Sequence, residues 1–128
     1  MMQHQLTNGE LELLDQLWKL GEACPEDVQN ALKESGKVVT GGTVRKMLLI
    51  LVKKGHAFRV KSGRKYYYRA AKKQAVTRKA LLSDLIDRAF EGSPSLMVAS
   101  LFEDRAVPDD DFEEIKRLID RYYKEYLS

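Results

Sequence analysis

The stretch TGGTVRKMLLILVKKGHAFRVKSGRKYYYRA, Thr40 to Ala70, changes its hydrophobic period partway along. In its first half Val44, Leu48 and Leu51 share one side of a helical wheel, with Met47 and Val52 on the shoulders. Gly42, Arg45, Lys46 and Lys53 fall on the opposite side. Leu49 and Ile50 fall on or near that outward side too, an apolar pair where polar residues are expected. The spacing predicts a helix from about residue 40, closed by Gly55 as a left-handed cap. Beyond Gly55 the period becomes two: Phe58 and Val60, then Tyr66 and Tyr68, take alternate positions. This predicts strands at 57–61 and 65–69, joined by the tight turn Ser62-Gly63-Arg64 with glycine supplying a positive φ.

Upstream, Thr7 and Glu10 have capping-box spacing, so each side chain can satisfy an orphan backbone N–H. Leu11, Leu14, Leu17 and Trp18 recur at helical spacing up to Gly21, which predicts a helix over 8–20. Pro25 suits the first turn of a second helix, with Glu26 and Asp27 at its positive end and Val28, Ala31 and Leu32 as its stripe. It stops before Ser35-Gly36. Three short helices followed by a basic two-stranded hairpin is the order of a winged helix. A hairpin alone is marginal in water, so it must lean on the helices.

Downstream the helical period returns. Leu81, Leu82, Leu85, Ile86, Ala89 and Phe90 stripe a helix over about 73–90, and Gly92-Ser93-Pro94 breaks it. A short helix follows to about 102. Pro108-Asp109 then opens the last one, whose Phe112, Ile115, Leu118, Ile119, Tyr122 and Tyr126 follow i, i+3, i+4, i+7. The fold class expected is mainly α with a small antiparallel β-hairpin: a winged helix-turn-helix domain over 1–70, the part read below as DNA-binding from its charge and side chains, and a three-helix domain over 71–128, read as the dimerisation domain from its size. Some 55 residues stand near the lower limit for a self-sufficient core. The stripes of Leu81, Leu82, Leu85, Ile86, Phe90, Phe112, Ile115, Ile119 and Tyr122 are therefore expected to bury against a second copy.

Composition narrows the function. With 32% charged and 44% hydrophobic residues, the 128-residue chain has an ordinary globular balance. Its longest strictly apolar run, 47–52, is far short of a membrane span, and no leader-like segment opens it. A cytoplasmic protein is expected, neither secreted nor in a membrane. The net charge of +3 is unevenly spread: positions 35–83 hold 14 of the 22 Lys and Arg and no acid. Residues 1–70 carry 12 bases against 7 acids, hence +5; the rest carries 10 against 12, hence −2. So basic a centre suggests a polyanionic partner, because solvated surfaces usually mix both signs.

No catalytic set emerges. His4 lies in the N-terminal tail and His56 at the start of the hairpin, the first read as a frayed polar residue and the second as a solvent-facing one. Cys24, the single cysteine, reads as a small buried residue at a helix start, although such a place can lower a thiol pKa. The seven carboxylates between Glu103 and Glu114 diverge around a helix start and read as a cap and solvated loop, not a metal site. No enzyme activity, metal or cofactor is implied.

Double-stranded DNA, by contrast, draws on several independent features. The third helix offers backbone N–H groups at its start, beside Gly42 and the hydroxyls of Thr40 and Thr43. Arg45 and Lys46 lie where a recognition helix reaches base edges. Lys53 and Lys54 suit phosphate, as do Lys61, Arg64 and Lys65 at the hairpin tip. Tyr66 and Tyr68 are expected inward, leaving only Tyr67 free, so a single-stranded RNA platform is the weaker reading. A different class stays open: a winged-helix adaptor whose basic hairpin binds an acidic protein partner, a reading that the outward Leu49 and Ile50 support.

These residues resemble a known family. Leu6-Thr7 with Glu10 and Trp18, Thr43-Val44-Arg45, Lys53-Lys54-Gly55, Gly63-Arg64 before Tyr66 and Tyr68, and the 112–118 segment are similar to the BlaI/MecI/CopY repressors. The resemblance covers nearly the whole chain. It implies a homodimer that represses transcription from a palindromic operator. In the β-lactam-responsive members repression ends when the dimerisation domain is cleaved; for this chain the signal stays open, with a sensor protease or a partner protein as the candidates. Departures are visible too. Val39-Thr40-Gly41-Gly42 replaces the usual Trp-Ser-Pro-Lys, and Ile50 stands where an Arg is frequent. Ser100-Leu101 stands where the β-lactam-responsive members carry a scissile Asn-Phe pair, and the cysteine-rich tail of the copper-responsive members is absent.

Overall fold

A computed structural model of the chain describes residues 5–103 and 107–127. It divides into two compact units, Met1–Lys79 and Ala80–Ser128. In the first, α1 (Asn8–Leu20), α2 (Pro25–Glu34) and α3 (Gly41–Lys53) precede the hairpin strands β1 (Ala57–Ser62) and β2 (Lys65–Ala70). His4 lies outside the described residues, as do parts of the acidic segment after Glu103.

Local chemistry accounts for the helix limits. The Glu10 N–H donates to Thr7 Oγ1 at 3.2 Å and the Thr7 N–H donates to Glu10 Oε1 at 3.0 Å, so the capping box of α1 is formed. Thr40 caps α3, its hydroxyl accepting from the Thr43 N–H. At the other end Gly55 takes φ 84°, while the His56 N–H reaches back to the Leu51 carbonyl at 2.8 Å. His56 itself is half-buried, not solvent-facing as expected, at a point where its backbone is hydrogen-bonded both to Leu51 and to Ala71.

The core joins Val44, Leu48 and Leu51 of α3, all fully buried, to Leu13, Leu14 and Leu17 of α1 and Val28 and Leu32 of α2. The inward face of α1 is rotated from the expected one: Leu13 is buried, whereas Leu11 and Trp18 are half-buried. Three partners crowd this helix, since α2, α3 and β2 all pack on it. The Trp18 indole N–H instead donates to the Lys72 carbonyl at 2.9 Å, pinning the chain just after the hairpin.

In the antiparallel hairpin Arg59 pairs with Tyr68 and Lys61 with Tyr66, with Gly63 at φ 65° in the turn. Ala23, between α1 and α2, adds a single-residue bridge, exchanging two backbone hydrogen bonds with Tyr68. Cross-strand partners share a face, so Ala57, Arg59, Lys61, Tyr66, Tyr68 and Ala70 lie on one side. The core covers only the base of that side: Tyr68 is 4% exposed, Tyr66 37%. The expectation that Tyr66 turns inward with Tyr68 is corrected here. The alternation holds, but the hairpin runs beyond the core before it reaches Tyr66. Tyr67, expected free, is half-buried on the other face beside Phe58 and Val60.

Three helices follow: α4 (Gln74–Ala89), α5 (Pro94–Phe102) and α6 (Asp109–Leu127). The Ser93 hydroxyl caps α5, accepting from the Leu96 N–H at 3.0 Å. Among the described residues from 80 to 127, none is buried. Leu81, Ile86, Phe90 and Ile115 are half-buried, and Leu82, Leu85, Phe112, Ile119 and Tyr122 are exposed. Phe102 meets Phe112 edge-on, and Tyr122 stacks on Tyr126. Among the described residues no helix is long and apolar enough to cross a membrane.

Candidate nucleic-acid interface

The side of α3 turned away from the core carries Gly42, Arg45, Lys46, Leu49 and Lys53, all exposed. Arg45 does not extend freely. Its guanidinium folds back along the helix, where a Cβ on Gly41 would lie 3.3 Å from Nη1, and its Nη2 stands 3.8 Å from Glu26 Oε2 on α2. Hydrogen bonding from its own backbone N–H, together with the Cys24 thiol and the charges of Arg45 and Lys65, holds the Glu26 carboxyl below its ordinary value. An exposed pair of this kind adds little to stability.

Between α3, the start of α2 and the hairpin lies a cleft of about 350 Å³. Arg45 and Leu49 line it from α3, and Arg59, Arg64, Lys65 and Tyr66 from the hairpin. Three of the residues expected in a DNA-facing set, Arg45, Arg64 and Lys65, are thus brought together. Thr40, Gly42, Thr43, Lys46, Lys53 and Lys61 lie outside the cleft lining. The Thr40 and Thr43 hydroxyls bond to each other at 2.9 Å at the head of α3.

Lys54 is placed differently from the phosphate-facing role expected of it. Its ammonium is directed to Glu10 Oε1 at 2.7 Å and to the Gln5 carbonyl at 3.0 Å. Sequence reading also missed two members of the cleft, Arg59 and Tyr66. The Arg59 guanidinium lies 4.1 Å from the Tyr66 ring centroid, with the Lys61 ammonium at 5.7 Å. The strand alternation held the signal, because a register pairing Lys61 with Tyr66 puts Arg59 on that same side.

Cys24 is buried, and burial pushes its thiol pKa up, the direction of an inert residue. Among the described residues no group of three or more His, Cys, Asp or Glu is placed to hold a metal ion. Ser100 and Leu101 sit within α5, where the Ser100 hydroxyl donates to the Leu96 carbonyl.

Comparison with known proteins adds context to this geometry. The family model described as penicillinase repressor matches residues 6–121. A penicillinase repressor from Bacillus licheniformis is 24% identical over 120 residues, spanning 92% of this chain and 91% of its own. The solution structure of monomeric BlaI from the same organism, in complex with the blaP half-operator, is 28% identical with a TM-score of 0.48, over 56% of this chain and 85% of that one. A crystal structure of a MarR variant from E. coli reaches a TM-score of 0.53 at 15% identity, over 93% of this chain and 79% of that one, a likeness of fold alone.

Proposed function

The chain belongs to the penicillinase repressor family, a family of DNA-binding transcriptional repressors, and we propose that it silences genes as a cytoplasmic homodimer on a palindromic operator. The observation that carries this reading is the cationic cleft between α3 and the hairpin. With α3 in the major groove, Arg45 offers its paired N–H groups to a guanine edge. Arg59, Arg64 and Lys65 neutralise the strand that runs between helix and hairpin, while Lys46, Lys53 and the N–H groups at the head of α3 meet flanking phosphates. Thr40 and Thr43 fix that helix start.

Residues 80–127 support the second half of the proposal. From residue 80 on, helices striped with Leu, Ile, Phe and Tyr but without a buried residue among those described leave much of their apolar surface in water. A second copy covers it in the simplest way, and a twofold dimer presents two α3 helices to two half-sites. Engaging both half-sites raises affinity through effective concentration with no new contact.

Selection of duplexes from a random library by the full-length protein tests this reading. Enrichment of an inverted repeat with half-sites about 10 bp apart is the expected result. A pool that stays random after repeated rounds would refute it.

A further inference from the structure

On the outward side of α3, Leu49 has no part in the electrostatics. It is 45% exposed, one turn beyond Arg45, and both line the same cleft with Arg59 and Tyr66 across from them. A groove built only to hold phosphate gains nothing from a leucine left in water. Base edges in the major groove do present one apolar group, the C5-methyl of thymine. We propose that Leu49 is a specificity-determining residue of this site, packing on a thymine methyl next to the base pair that Arg45 contacts. The inference rests on the DNA-binding reading of the cleft and adds to it the identity of a base.

The geometry limits where that thymine lies. Four residues of helix advance about 6 Å, and successive bases on a strand are about 3.4 Å apart. The methyl therefore belongs to a base pair one or two steps from the one Arg45 reads. Side chains on a helix lean toward its N-terminus, so Leu49 covers the turn between itself and Arg45. A leucine offers no hydrogen bond, so the discrimination is against cytosine, which has an amino group at the pyrimidine edge and no methyl.

The probe is a duplex enriched from a random library by the wild-type, full-length protein. Each thymine in it is replaced in turn by deoxyuridine, which removes the methyl and keeps every hydrogen-bonding group. For the wild-type protein one such position in each half-site, one or two steps from the base pair that Arg45→Ala ceases to discriminate, weakens binding about fourfold when substituted alone, the worth of one buried methyl. Leu49→Ala binds the thymine and uracil probes equally. Wild-type binding unchanged by uracil at every position would overturn the proposal, as would a Leu49→Ala protein that keeps the wild-type loss. A library from which nothing is enriched would remove the DNA reading itself, so the two failures are distinct.

Discussion

Lys54 and Glu10, 44 residues apart, form a largely buried ion pair at 2.7 Å, with side-chain exposures of 22% and 7%. The pair ties the C-terminal end of α3 to the capping box of α1. Burial alone would raise the Glu10 carboxyl, but the Lys54 ammonium and the Thr7 N–H outweigh it and hold the carboxyl below its ordinary value. Lys54→Ala leaves that carboxylate buried without its cation, at a cost of about 2 kcal/mol in denaturant unfolding. Because the folded carboxyl is held low, its contribution is complete above the ordinary carboxylate value of about 4.3 and fades as pH falls through the folded value. The penalty of Lys54→Ala is therefore expected to shrink in acid. A penalty independent of pH would separate Lys54 from Glu10.

Gly42 offers a variant in which stability and DNA affinity part company. A Cβ there meets nothing within 4 Å, and its φ is not in the left-handed region. Alanine is the better helix former, so Gly42→Ala stabilises the fold by about 0.5–1 kcal/mol. The open space beside Gly42 is where the proposed DNA backbone approaches α3. Gly42→Ala is thus expected to raise the unfolding midpoint and lower DNA affinity together. A stabilised protein with unchanged affinity would place the DNA elsewhere.

Arg45 and Lys53 lie on the same helix side but take different roles in the account. Arg45→Ala weakens binding to the selected duplex by about 1–3 kcal/mol while changing affinity for random DNA much less. Lys53→Ala weakens both about equally and reduces the log–log salt slope by about 1 per protomer. Lys54→Ala leaves that slope unchanged, since its ammonium serves the α1–α3 tie. Competition assays on the three variants separate base reading, phosphate contact and scaffold.

The second unit calls for a test of assembly. Ile119 is 56% exposed on α6, beside Tyr122 on the same apolar stripe. Ile119→Asp puts a charge in the centre of the proposed dimer contact, where burial without a partner is costly. Sedimentation is expected to show a dimer for the wild type and a monomer for the variant, with affinity for an inverted repeat falling toward that for a single half-site. A wild-type monomer at micromolar concentration would defeat this part of the proposal.

How much of this was written legibly in the sequence depends on the kind of signal. The helix limits were readable because they come from local chemistry: Thr7 with Glu10, Thr40, Gly55. The face of α3 was readable because a single stripe contacts the core, and the structure buries Val44, Leu48 and Leu51 as the period predicts. What stayed hidden depends on distance in the chain. No pattern marks a one-residue bridge, so Ala23 and Tyr68 could not be paired. Alternation told which side Tyr66 takes but not where the core ends, and so Arg59 and Tyr66 were missed as members of the cleft. Lys54 looked like its neighbour Lys53 until Glu10 was brought beside it.

The central claim is that the cleft between α3 and the hairpin reads DNA by sequence. Its most direct test is fluorescence anisotropy of the full-length protein on the selected duplex and on a scrambled duplex of equal composition, across a salt series. With Lys46, Lys53, Arg59, Arg64 and Lys65 each neutralising about one phosphate per protomer, the dimer is expected to show a log–log slope near −9 on the selected duplex. At physiological salt it should prefer that duplex by at least about a thousandfold. Equal affinity for both duplexes at every salt concentration would contradict the account, leaving a basic surface that recognises charge alone.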